Sequence, residues 1–105
     1  KVGTYLLALA AYDNGIPAYS AFPLDSVDFD SPSAEAIPIE ERDPSEVLAL
    51  TYRGLPAAPE GARARNYAFD VTPHRLLSGL ITDRGILYPP FFRNLSILKP
   101  HGREE

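Results

Sequence analysis

A chain of 105 residues, 45% hydrophobic and 23% charged, has room for one modest core and at most one domain. Its net charge of −4, with no basic cluster, argues against a nucleic-acid backbone as partner. With no cysteine it holds no disulfide, thiolate metal site or thiol nucleophile, and no apolar run approaches the roughly 18 residues of a membrane span. Eleven prolines predict many short segments and rigid corners. There is no signal-peptide pattern and no methionine, so the chain is expected to be a piece of something larger.

Val2 to Asn14 reads as a helix. Val2, Tyr5, Leu6, Leu9 and Tyr12 fall on one stripe, and Leu7, Ala8, Ala10 and Ala11 make the other faces apolar too. Gly15 supplies a left-handed stop and Pro17 forbids continuation. Ile16 to Phe22 then reads as a strand that Pro23 ends. A buried helix, a tight turn and a short apolar strand are the grammar of an α/β layered domain. Leu24 to Ala36 is turn chemistry around Val27 and Phe29. Its aspartates at 25, 28 and 30 lack the alternation and the glycine of a calcium loop, so a solvated loop is the reading.

The next stretch is the most structured in its chemistry. Pro38 keeps its neighbours extended, so Ile37 and Ile39 point to one side, and Glu40, Glu41, Arg42 and Asp43 follow as an unbroken charged corner. Asp43 then caps a helix from Pro44 to about Leu50, with Glu46 placed to reach back to the cap amide. Thr51 to Arg53 can hold a strand, and Pro56 to Arg65 is a loop on which Arg63 and Arg65 are expected to be solvated. Thr72-Pro73 looks like a cap and first turn, and Leu76, Leu77, Leu80 and Ile81 form an apolar stripe, predicting a helix that ends at Arg84-Gly85. Ile86 to Tyr88 adds a short strand before Pro89-Pro90. Residues 91–105 are expected to form an irregular tail, a strap across the surface that frays after Pro100.

Asp70, His74 and Ser78, spaced by four, imitate a hydrolase triad. A nucleophilic serine needs an exposed turn with amides aimed at an oxyanion, and Asp70 lies before the predicted cap, so separate structural roles are expected. Two histidines, His74 and His101, do not make a metal site. Glu40, Glu41 and Asp43 are explained by Arg42 and by capping. Asp70 either stabilises a helix N-terminus or faces a ligand cleft at the sheet edge. Lys1 is a cation at a helix start, where the dipole disfavours it by a few tenths of a kcal/mol. It is either a plain surface residue or one that joins helix amides in holding a phosphate.

Three segments carry a resemblance, in order: Lys1-Val2-Gly3-Thr4-Tyr5; Ile16-Pro17-Ala18-Tyr19 followed by Ile37-Pro38-Ile39-Glu40-Glu41-Arg42 as far as Glu46; and Ala68-Phe69-Asp70-Val71-Thr72-Pro73 with Ile81-Thr82-Asp83-Arg84-Gly85. Together they resemble the methylthioribose-1-phosphate isomerases, which are related to the regulatory subunits of initiation factor 2B. The match runs from Lys1 to about Pro90, and the Ile-Pro-Ile-Glu-Glu-Arg string points to the isomerase branch. One departure is that the family's Asn-Pro is here Asn66-Tyr67.

The resemblance implies the C-terminal part of a Rossmann-like domain over residues 1–105, a parallel sheet with flanking helices. It implies an isomerase that turns an aldose 1-phosphate into the ketose in methionine salvage, with no cofactor and no metal. The family's catalytic cysteine and its acidic partner lie upstream of Lys1, so this chain carries no catalytic residue and is expected to be inactive alone. Lys1 matches a substrate-binding position. The implied partners are a phosphorylated sugar and either the missing N-terminal part or another chain, in a cytoplasmic homodimer without nucleic acid or membrane. The alternative is a non-catalytic interaction module like the initiation-factor subunits.

Overall fold

The computed structural model describes residues 1–100. Its first helix, α1, runs over Thr4–Asp13 and is followed by strand β1, Tyr19–Ala21. A short helix α2, Ser45–Leu48, precedes a hairpin of β2, Thr51–Tyr52, and β3, Leu55–Pro56. Strands β4, Gly79–Thr82, and β5, Gly85–Leu87, lead to a last helix α3, Phe91–Ile97. Single 3-10 turns lie at Leu24–Ser26, Ala34–Ala36 and His74–Leu76.

The main sheet has the order β1-β4-β5. β1 and β4 are parallel, with Tyr19 opposite Gly79 and Ala21 opposite Ile81, while β5 returns antiparallel from Thr82↔Gly85 to Leu80↔Leu87. Gly79 is needed at its place: a Cβ there would stand 2.9 Å from the Tyr19 ring and 3.2 Å from the Leu87 carbonyl oxygen. Ser78 extends the parallel pairing, since its amide donates to the Ala18 carbonyl at 2.7 Å and its hydroxyl accepts the Ala18 amide at 3.1 Å.

The expected helix over Thr72 to Ile81 is not formed. Only His74–Leu76 makes a helical turn, and Gly79–Thr82 is the central strand. Arg84-Gly85, read as a helix stop, is part of the β4–β5 turn. There the Thr82 hydroxyl donates to the Gly85 carbonyl at 2.8 Å and accepts the Arg84 amide at 3.1 Å. The strand expected at Thr51–Arg53 exists but stands apart from the main sheet. Arg53 and Gly54 both have positive φ, 52° and 78°, the backbone of a two-residue hairpin turn that joins β2 to β3. Phe91–Ile97, expected to belong to an irregular tail, is helical. Residues 101–105 of that expected tail lie outside the described residues.

The extended arm is real and finds a partner. Glu41 bridges Tyr67 in antiparallel fashion, the Arg42 amide donates to the Asn66 carbonyl at 2.7 Å, and the Ala68 amide donates to the Glu40 carbonyl at 2.9 Å.

The buried apolar side chains are Ala8 from α1, Ala68 beside the arm, Leu76, Leu80 of β4 and Phe91 of α3. α1 lies over the His74–Leu76 turn, and α3 lies against β5. The rest is open. α1, expected to be a buried helix, is uncovered over much of its surface, with Leu6 71% and Leu7 74% exposed. The accessible surface is 8824 Å², against about 5,800 Å² for a folded monomer of this mass. This chain therefore leaves apolar faces of α1 and the sheet without cover.

Candidate functional site

A cavity of about 370 Å³ opens where the start of the chain meets the arm and its partner segment. Lys1, Val2, Arg42, Val47, Arg65, Asn66, Tyr67 and Ala68 line it. That volume is in the range of small-molecule sites. A larger one, about 530 Å³, lies between Leu48, Pro56 and residues 58–62, but its only charged group is Glu60, so it offers an anion nothing.

Arg42, Arg65 and Asn66 in the lining are each placed by a traceable interaction with the arm. Asp43 Oδ1 accepts the Ser45 amide at 2.9 Å, the expected cap of α2, and this bond holds the Asp43 carboxyl below its ordinary value. Glu46 does not reach back to the cap. Arg42 Nε and Nη2 donate to its two oxygens at 2.9 and 2.6 Å, and Asn66 Nδ2 donates to Oε2 at 2.9 Å. A charged, two-pronged donor outcompetes a single neutral amide. The same Asn66 nitrogen also donates to the Asp43 carbonyl at 2.8 Å. Arg65 Nη1 donates to both Glu41 oxygens at 3.1 Å, so Arg65, expected to be solvated, is paired to the arm.

The fork from Arg42, then the Asn66 amide, hold the Glu46 carboxyl down to about 2 from an ordinary 4.5. Both partners are about half exposed, at 42% and 44% of their side chains, so the pair fixes geometry more than it adds stability. The sign follows from the depression. The stability that the fork contributes is complete above 4.5 and is lost progressively as pH falls from there toward about 2, where the carboxylate itself takes up its proton. In a carbon NMR titration, the Glu46 carboxyl is expected to show a midpoint well below that of a free glutamate. A midpoint at or above 4.5 would mean that the fork is not formed in solution.

With Arg42 and Arg65 engaged by Glu46 and Glu41, Lys1 is the cation in this cavity left for an external anion. Among the described residues it makes no ion pair within 4.0 Å. Its setting differs from the expected one in one respect. α1 starts at Thr4, and the Gly3 and Tyr5 amides donate to Asp70 Oδ2 at 2.8 and 3.1 Å. These bonds, Gly3 first, hold the Asp70 carboxyl below its ordinary value. Two of the amides at the start of α1 are thus taken by a carboxylate and are not free for another anion. Asp70 does cap a helix, though one whose cap residue, Gly3, lies 67 residues earlier in the chain.

The apparent triad dissolves. Asp70 binds α1, Ser78 binds β1, and His74 stands edge-on to Phe91 at 6.4 Å between ring centroids. The sequence reading missed Asn66, which has no motif of its own. Its signal would have been an amide side chain opposite the charged corner.

The sequence profile of the initiation factor 2 subunit family matches residues 1–89. The chain belongs to this family. A methylthioribose-1-phosphate isomerase from Thermus thermophilus is 59% identical over 95 residues, which is 90% of this chain and 28% of that protein. One from Acetivibrio thermocellus is 48% identical over 95 residues, 90% of this chain and 27% of that protein. Among solved structures, the 5-methylthioribose 1-phosphate isomerase of Pyrococcus horikoshii has a TM-score of 0.82 at 52% identity, over 93% of this chain and 27% of that one. The eIF-2B delta subunit from A. fulgidus has the same TM-score of 0.82 at 34% identity, over 93% and 28%. This member of the initiation factor 2 subunit family therefore spans little more than a quarter of the curated relatives it matches. Its fold is the mixed α/β arrangement of those structures, a small sheet with helices.

Proposed function

We propose that this chain is part of a methylthioribose-1-phosphate isomerase and supplies the side of the site that receives the substrate's phosphate through Lys1. The reaction is the conversion of a ring-closed aldose 1-phosphate into its open ketose isomer, in which the redox change stays within the substrate and needs no cofactor. One observation carries the reading. Identity is 59% and 48% to the two isomerases but 34% to the eIF-2B delta structure, although the backbone fits both solved structures equally.

The cavity supports it chemically. Lys1 offers an uncommitted ammonium, and Arg42 and Arg65 stand beside it with their own carboxylates, so a dianion gains attraction without entering a strongly basic cleft. The groups that move protons belong to the rest of the protein. The parallel pair β1–β4 is read as the end of a larger Rossmann-like sheet, and the uncovered faces of α1 as surface that the rest of the enzyme, or a second copy in a homodimer, buries. The working compartment is the cytoplasm.

The test is turnover of 5-methylthioribose 1-phosphate by the full-length protein, followed by carbon NMR of the ketose product. Formation of the open ketose is expected. The equal TM-score to eIF-2B delta keeps a second reading in view, a non-catalytic module of the same fold. Binding of the sugar phosphate without any product would favour that module over the isomerase.

A further inference from the structure

Asp70 is bound to its partners across most of the chain. One oxygen, Oδ2, accepts the Gly3 amide at 2.8 Å and the Tyr5 amide at 3.1 Å, with donor and acceptor 67 and 65 positions apart in the chain. A helix normally solves this problem locally, with Ser, Thr, Asp or Asn at the cap. Here the cap position is Gly3, at φ 137° and ψ −22°, with no side chain to offer and a backbone that other residues rarely adopt. The local solution has been given up for a remote one. The glycine turn and the remote carboxylate together fix the direction in which Lys1 and Val2 leave α1.

The segment that carries Asp70 is tied at its other end to the charged arm. Asn66 Nδ2 donates to Glu46 and to the Asp43 carbonyl, and the Asn66 carbonyl accepts the Arg42 amide. Between them Ala68 is buried, and its amide donates to the Glu40 carbonyl. Residues 66–70 thus form a short cross-tie, with the arm and Arg42 at one end and the helix start and Lys1 at the other. Both ends border the same cavity.

We infer that Asp70 is a positioning residue: by seating the Gly3 and Tyr5 amides it sets where Lys1 stands across the cavity from Arg42. The inference rests on the phosphate-side reading of Lys1. It adds that the anion's grip depends on a residue that does not touch it. A plain helix cap would affect stability alone, whereas a positioning residue affects binding, and only while Lys1 is there to be positioned.

A double-mutant cycle in the full-length protein separates these roles. Asp70→Ala, Lys1→Ala and the double variant are compared by KM and kcat for 5-methylthioribose 1-phosphate and by calorimetric Kd for inorganic phosphate. Asp70→Ala is expected to raise KM and the phosphate Kd by about tenfold, the scale of one displaced charge-assisted contact, with kcat little changed. In the Lys1→Ala background it should add no more than about twofold. Asp70→Asn keeps the size and one acceptor oxygen, so it should recover part of the loss, and it carries the same cycle if Asp70→Ala does not fold. Additive effects, or a fall in kcat at unchanged KM, overturn the positioning role while leaving the isomerase reading in place. A wild type that binds phosphate but makes no ketose overturns the isomerase reading, and the phosphate cycle then decides Asp70 alone. A wild type that neither binds phosphate nor makes ketose overturns both.

Discussion

Lys1→Ala in the full-length protein is expected to weaken sugar-phosphate binding by about ten- to a hundredfold while barely moving the melting temperature. An ammonium-to-phosphate contact is worth about 1.5–3 kcal/mol, and each 1.4 kcal/mol is a factor of about ten in affinity. Lys1 is exposed and precedes the first helical residue, Thr4, by three positions, so its removal takes away no buried contact. Arg42 and Arg65 cannot replace it cheaply, because each would have to leave a carboxylate it now binds. Calorimetry with the phosphorylated sugar decides the matter, since unchanged affinity would make Lys1 an ordinary surface lysine.

Leu80→Ala should have the largest effect on stability, a loss of about 2–5 kcal/mol. Leu80 is 7% exposed and sits in β4, the central strand, opposite Ser20 of β1 and Leu87 of β5. No neighbour can slide into the vacated space without breaking register on one side or the other, because both pairings fix the backbone of β4. Urea unfolding of the full-length variant gives the measurement, and a loss below about 1 kcal/mol would show that the sheet packs differently.

The elements with unambiguous punctuation were legible. α1 ends where Gly15 and Pro17 say it must, β1 lies within the expected strand, and Asp43-Pro44 starts α2. The stretch from Leu76 to Ile81 was read with the wrong period. Its apolar residues at 76, 77, 80 and 81 fit a helical stripe, yet Ser78-Gly79 interrupts it and Ile81-Thr82 is β-branched. The deciding influence is remote: β1 offers a parallel edge, and no local pattern reveals it. In α3, Phe91, Leu95 and Leu98 do carry a helical spacing, which the neighbouring prolines obscured. At the candidate site, Lys1 and the charged arm could each be singled out, but their connection through Asn66 and Asp70 could not. Hydrogen bonds across more than 20 and 60 residues leave no spacing in a sequence.

The β1–β4 pairing brings together residues 60 positions apart, Tyr19 and Gly79, and much of the chain between them is irregular connection. Loop-closure entropy grows only with the logarithm of length, so doubling that connection would cost about 0.6 kcal/mol. The run Pro32-Ser33-Ala34-Glu35-Ala36 is exposed and lines no part of the cavity. Insertions and deletions there are thermodynamically cheap, so this stretch can drift in length between species while the arm, the cross-tie and the sheet keep their register.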